Sequence, residues 1–205
     1  MNSTLSLYIS ERLKEFDLIP AERKQNLQEM AEFVNLEAGS NRIARLIFIC
    51  THNSRRSHFG QIWAKTAAWY YGITEVETYS GGTEATAFNP RAVEALGNSG
   101  FEIEKTSGVD NPVYKFFYEN DSPPIQAWSK KYDSDDNPGE DFCAVMTCSQ
   151  ADADCPFIPG ASLRISLPYE DPKNYDGTDR ESIAYAERCG QIAREMFYLF
   201  SLVKK

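Results

Sequence analysis

The segment that most limits the fold is Arg45-Leu46-Ile47-Phe48-Ile49, followed at once by Cys50-Thr51-His52-Asn53-Ser54-Arg55-Arg56-Ser57. The apolar run has the length of a buried strand, and residues 57–71 carry helical periodicity closed by Gly72. Strand, short loop and helix in that order make a nest, in which backbone N–H groups converge on one point at the positive end of the helix dipole. Such a nest holds a tetrahedral, phosphate-like dianion. A thiol at the strand end lies in the same field, which favours its thiolate. Arg56 can return over the loop and hold two oxygens with its planar fork, and Ser57 can donate a hydrogen bond to the Cys50 sulfur. A lone Cys-x5-Arg is also compatible with a buried structural cysteine and a solvated arginine. Here the strand before it and the helix after it favour the oxyanion loop. Cys50 is then the candidate nucleophile, and Thr51, His52, Asn53, Ser54, Arg55 and Ser57 join Arg56 as candidate oxyanion contacts. No Gly-x4-Gly-Lys-Ser/Thr and no Gly-x-Gly-x-x-Gly competes as a phosphate loop.

The rest of the chain fits around this unit. Apolar residues spaced by three and four from about 5 to 36, interrupted at Pro20, predict two amphipathic helices. Residues 1–44 therefore read as an N-terminal helical extension that packs on the main domain or on a partner. Further strands are expected at 76–79, 125–128, 142–146 and 163–167, with one helix opened by Asn89-Pro90 and a last helix over about 178–203. This alternation predicts an α/β domain over 45–205, a central parallel sheet with helices on both faces. Residues 111–141, rich in Tyr, Phe, Asp, Ser and Pro, interrupt this alternation as an excursion, and their polar, turn-prone second half, 130–140, reads as lying on the surface.

Composition narrows the function classes. With 42% hydrophobic and 25% charged residues, the 205-residue chain is that of an ordinary globular protein with one main core. Its net charge of −9 gives no electrostatic reason to gather nucleic acid or anionic lipid, so any anion must be bound locally. No run approaches the roughly 18 apolar residues of a membrane span, and residues 1–10 lack the pattern of a signal peptide. A cytoplasmic protein without nucleic-acid or membrane partners is the expectation. Cysteines at 50, 143, 148, 155 and 189 form an odd set that argues against a disulfide framework. Zinc would ask for a close pair and four ligands, a spacing that Cys143, Cys189, His52 and His58 do not supply, so no metal is expected. Cys143, in an apolar strand, and Cys189, on the last helix, read as core residues.

These residues resemble the low-molecular-weight protein tyrosine phosphatase superfamily, whose pattern is Cys-x5-Arg-Ser after the first strand and an Asp-Pro near the last helix, here Asp171-Pro172. The likeness is closest to the thioredoxin-coupled arsenate reductases. Cys148-Ser149-Gln150-Ala151-Asp152-Ala153-Asp154-Cys155-Pro156-Phe157-Ile158-Pro159, Ser80-Gly81-Gly82-Thr83-Glu84 and Asn89-Pro90-Arg91 carry it, over about 45–109 and 142–205. The resemblance implies that Cys50 binds arsenate covalently, that Asp171 is the general acid, and that Cys148 attacks Cys50 and expels arsenite. Cys155 would then take over the disulfide and thioredoxin would reduce it, with no cofactor. The polar stretch between Cys148 and Cys155 is expected to be flexible.

Two loop positions depart from that pattern. His52 stands where the family usually has Gly and is expected to accept left-handed backbone. Arg55 replaces a second cysteine and either charges the mouth or points into solvent. Some members hold a potassium ion with an Asn and a Glu; Asn53 matches the first, but Gln61 stands at the second. The same resemblance supports an alternative, phosphomonoester hydrolysis on tyrosyl phosphate by Cys50, Arg56 and Asp171 alone. Tyr169, Tyr175, Tyr114, Phe116, Phe117 and Tyr118 would then be either a ring clamp or core. A third reading is a non-catalytic anion sensor.

Overall fold

In the computed structural model, residues 1–108, 110–119 and 122–204 are described. Val109, Lys205 and residues 120–121 of the expected excursion lie outside them. The helices are α1 (Ser3–Leu13), α2 (Ala21–Gly39), α3 (Arg56–Tyr70), α4 (Pro90–Asn98), α5 (Ser149–Asp154) and α6 (Glu181–Ser201). The strands are β1 (Ala44–Cys50), β2 (Val76–Gly82), β3 (Glu102–Ser107), β4 (Val113–Phe117), β5 (Ile125–Ala127), β6 (Phe142–Met146) and β7 (Ala161–Ser166). Strands β2-β1-β6-β7 form a parallel sheet in that order. Its two central strands, β1 and β6, are buried almost throughout, which is why they read as unbroken apolar runs.

Alternation along the central strands separates two cores. Leu46, Phe48, Cys143 and Val145 face a large cluster shared with α2, α3 and α6, including Trp63, Ile192 and Phe197. Ile47, Ile49, Ala144 and Met146 face a small cluster that contains Cys50, Cys148, Ala151 and Ile158, covered by α5. Helices thus lie on both faces, very unequally.

The N-terminal helices belong to the large core through Leu5, Ile9, Leu27, Met30 and Val34. Asn2 caps α1 by accepting from Leu5 N at 2.9 Å, and its Nδ2 donates to Gly100 O at 2.8 Å. Gly100 has φ +107°, and a Cβ there would lie 2.7 Å from Leu5 Cα, so only glycine lets α1 approach this turn.

Two expectations are corrected. The strand expected at 125–128 is not part of the parallel sheet: β5 pairs antiparallel with β4, and β4 with β3, in a second, three-stranded sheet. Phe116 and Ile125 pair across it and turn inward beside Phe88. A short apolar run specifies burial but not its pairing partner. Residues 130–140 are likewise not a mere surface excursion, since Lys130 and Asn137 are buried. Lys130 O accepts from Gly82 N, and Tyr132 N donates to Gly82 O, both at 2.9 Å, so this segment extends the edge of β2.

Candidate active site

Cys50 ends β1 and Arg56 opens α3, so residues 51–55 make the turn. The carbonyls of this turn are engaged on its outside. Cys50 O accepts from Thr83 N (3.1 Å), Thr51 O from Glu84 N (2.8 Å) and Ser54 O from Asn89 N (2.9 Å). His52 O accepts from the hydroxyls of Thr86 (3.0 Å) and Ser129 (3.1 Å). A trans peptide sets N–H opposite C=O, so carbonyls drawn outward turn the following amides toward the space above Cys50. Gly82 makes this possible: a Cβ there would lie 2.7 Å from both Asn53 N and Thr51 O.

The left-handed residue of the loop is Asn53, at φ +44°, and not His52 as expected. Asn accepts this conformation because its short amide can hydrogen-bond locally. Asn53 Oδ1 accepts from Lys130 N at 2.8 Å, and Nδ2 donates to Ser57 Oγ at 2.9 Å. Ser57 Oγ in turn lies 3.1 Å from Cys50 Sγ. Since a lone pair of the serine is taken by the Asn53 amide, its proton is free to point at the sulfur. The side chain of Ser54 is turned outward and donates to Ala87 O at 2.7 Å.

Arg56 Nη2 meets Asp171 Oδ2 at 2.7 Å, while Nη1 donates to Tyr169 O at 3.0 Å. Arg55 does not point into solvent: its side chain is 11% exposed, Nε donates to Tyr185 Oη at 2.9 Å, and Nη1 lies 3.9 Å from Asp171 Oδ1. Tyr185 Oη donates to Asp176 Oδ1 at 3.0 Å, and burial pushes its phenol up from the ordinary value. Two guanidiniums therefore flank one carboxylate. Cys50, His52, Ser54, Arg55, Arg56 and Asp171 enclose a cavity of about 10 Å³, room for roughly one water. His52 is half exposed at the rim, with Nε2 3.7 Å from Glu84 Oε2.

Cys148 follows β6 as Cys50 ends β1, and both sulfurs belong to the small cluster, with Cys155 packed against it. Cys148 Sγ lies 3.5 Å from Thr51 Oγ1 and accepts from Ala151 N at 3.4 Å. All five cysteines are free. The stretch between Cys148 and Cys155 is the helix α5 rather than the flexible segment expected. Arg164 Nη2 holds it by Asp152 Oδ1 (2.6 Å) and Cys155 O (3.0 Å), and Ser166 Oγ donates to Asp152 Oδ2 at 2.7 Å. The six residues of α5 rise about 9 Å between its two caps, Cys148 and Cys155, whose own backbones are not helical, whereas disulfide Cα atoms lie about 4.4–6.8 Å apart. A Cys148–Cys155 bond would therefore strain this helix. Cys143 and Cys189 are fully buried, and burial pushes both thiols up.

Three of the aromatic residues considered as a ring clamp are engaged elsewhere. Tyr169 is buried with its hydroxyl on Glu195 (2.7 Å), and Tyr114 and Phe116 pack on Phe88. Gln61 Oε1 accepts from Ser80 Oγ at 2.7 Å, and among the described residues no cluster of three or more His, Cys, Asp or Glu could hold a metal. Lys130, Ser129 and Tyr185 were missed as supports of the loop. Each stands 70 or more positions away in sequence, and no local pattern marks them.

No protein-family model matches the chain. An arsenate reductase of Halalkalibacterium halodurans is 31% identical over 144 residues, 70% of this chain and 84% of that protein. The chain belongs to the arsenate reductase family. Its fold is similar to that of a low-molecular-weight phosphotyrosine phosphatase from Vibrio cholerae, with a TM-score of 0.51 and 15% identity over 77% of this chain and 95% of that one. An arsenate reductase in its phosphate-binding state matches with a TM-score of 0.50 and 17% identity over 79% of this chain and all (100%) of that one. Among the described residues no helix is long and apolar enough to cross a membrane.

Proposed function

We propose that the chain reduces arsenate to arsenite by thiol chemistry, with residues 1–44 as a helical extension of a catalytic domain over 45–205. The Cys50 thiolate attacks As(V), the loop amides and Arg56 hold the oxyanion, and Asp171 gives its proton to the departing oxygen. Cys148 then attacks Cys50 Sγ. The new S–S bond forms as the Cys50–As bond breaks, its electron pair stays on arsenic, and As(III) leaves as arsenite. Cys155 attacks Cys148 in turn and frees the Cys50 thiolate. An external dithiol, with thioredoxin as the expected donor, reduces the Cys148–Cys155 disulfide. Five free thiols suit a reducing compartment such as the cytoplasm.

The observation that carries this reading is the second thiol: Cys148 lies in the same apolar cluster as Cys50, with Thr51 of the oxyanion loop against its sulfur. Phosphoester hydrolysis has no use for it. Purified protein incubated with arsenate, thioredoxin and its reductase is expected to consume reducing equivalents over many turnovers. Cys148→Ser should abolish that turnover while sparing hydrolysis of an aryl phosphate. Sustained arsenate turnover by this variant would sink the relay and leave the phosphatase reading.

A further inference from the structure

Arg23, on α2, reaches across the molecule. Its Nε and Nη2 donate to the two carboxylate oxygens of Glu195 at 2.9 and 2.7 Å, and its Nη1 donates to Pro168 O at 2.9 Å. Its guanidinium also lies 4.6 Å from the centroid of the Tyr169 ring. Glu195, on α6, is fully buried and accepts further from Tyr169 Oη (2.7 Å) and Gln191 Nε2 (3.1 Å). A buried carboxylate is costly unless its lone pairs are met, and here they are. One turn along α2, Asn26 Nδ2 donates to Ser166 O at 2.8 Å.

These bonds fall on one stretch of chain. It leaves β7 at Ser166 and runs through Pro168 and Tyr169 to Asp171. Tyr169 is gripped from both sides: its hydroxyl by Glu195 and its carbonyl by Arg56, the residue that also holds Asp171. Its amide donates to Thr147 O at 3.0 Å, next to Cys148. An ion pair that only fastened α2 to α6 would need Arg23 and Glu195; it would not need the Pro168 carbonyl or the Tyr169 hydroxyl.

We propose that the N-terminal helix α2 serves the reaction at one remove: Arg23, with Glu195, is a positioning pair that fixes Tyr169 and thereby sets Asp171 over Cys50. The proposal rests on the assignment of Asp171 as the acid. It gives residues 1–44 a task in the chemistry as well as in folding.

Arg23→Lys and Tyr169→Phe test it in the full chain. Lysine keeps the charge beside buried Glu195 but cannot reach two carboxylate oxygens and a carbonyl with one planar fork. Phenylalanine keeps the ring and removes only the hydroxyl link. Amide hydrogen exchange reads the mechanical connection: both variants should lose about tenfold or more protection over 168–174, with 45–57 unchanged. Thiol-dependent arsenate reduction reads its use: kcat should fall about ten- to a hundredfold, the scale of a misplacement near 1 Å. The arsenate Kd, measured by protection of Cys50 from alkylation, should stay within about threefold. Asp171→Asn is the reference. If it loses kcat while Arg23→Lys and Tyr169→Phe keep theirs, or if exchange over 168–174 does not change, the proposal is overturned. It is also overturned if Kd alone rises, since the loss would then lie in oxyanion binding. If Asp171→Asn turns over normally, the acid assignment itself fails, while the exchange measurement still decides whether Arg23 holds this segment.

Discussion

Ser57→Ala isolates one hydrogen bond to the nucleophile. In the native loop Lys130 N donates to Asn53, Asn53 Nδ2 donates to Ser57 Oγ, and Ser57 is left to donate to Cys50 Sγ across 3.1 Å. The acceptor carries charge whenever the thiolate attacks or departs. A hydrogen bond to a charged group contributes about 1.5–3 kcal/mol, and about 1.36 kcal/mol corresponds to a tenfold change in rate. The variant should therefore lose roughly 10- to 150-fold in single-turnover arsenate reduction at saturating arsenate. It also strands Asn53 Nδ2, which is buried, at a stability cost of about 1–3 kcal/mol. Thermal melting on the same samples separates that cost from the rate. Asn53→Ala should fall between wild type and Ser57→Ala in rate, because the serine keeps its proton but loses the partner that aims it. A Ser57→Ala enzyme within about threefold of wild type would refute the directed chain from Lys130 to the sulfur.

Cys148→Ser, assayed as above, should leave a single round in which Cys50 binds arsenate without releasing arsenite, visible as one equivalent of protein-bound arsenic by mass spectrometry. Arg164→Gln removes the bonds that hold α5 at Asp152 and Cys155, so oxidation of the Cys148–Cys155 pair should speed up severalfold; an unchanged rate of thiol loss would argue against strain in α5 as the barrier. Gly82→Ala forces a Cβ against Asn53 N and Thr51 O, and overpacking of this kind costs about 1–3 kcal/mol; arsenate should no longer protect Cys50 from alkylation. Burial holds the Lys130 ammonium at a pKa of about 8, below its ordinary value near 10.5. Between those two values the unfolded chain keeps a proton that the folded one has released, so stability from this group rises with pH across the window. The Tm of wild type minus that of Lys130→Met should climb from pH 8 to 10.5, and a constant difference would refute the assignment.

What could be read from sequence was what local chemistry dictates. The β1–loop–α3 unit was legible because an apolar run, an anion nest and a helix start lie within about thirty consecutive residues, and the start of α4 because Asn89 caps it and Pro90 suits its first position. The second sheet was not, since nothing in Ile125-Gln126-Ala127 says that its partner is β4 and not β6. Nor was the orientation of Arg55, which depends on Tyr185 at the far end of the chain. The polar segment after Trp128 looked solvated because polar residues usually are, yet Ser129, Lys130 and Asn137 are buried to satisfy backbone groups of the loop and of β2. The helix between Cys148 and Cys155 escaped for the same kind of reason. It is held from outside by Arg164, nine positions beyond Cys155.

The two candidate thiols sit at the ends of adjacent strands, with Ile49 of β1 facing Met146 of β6 and Thr147 N on Ile49 O at 2.7 Å. Neighbouring strands are about 4.8 Å apart whatever their loops do. Lengthening either connection would leave the sulfurs close, whereas deleting one residue inside β6 would turn Cys148 to the opposite face of the sheet. Anyone transplanting this chemistry to another α/β scaffold has to copy two strand ends and the register between them before copying any loop.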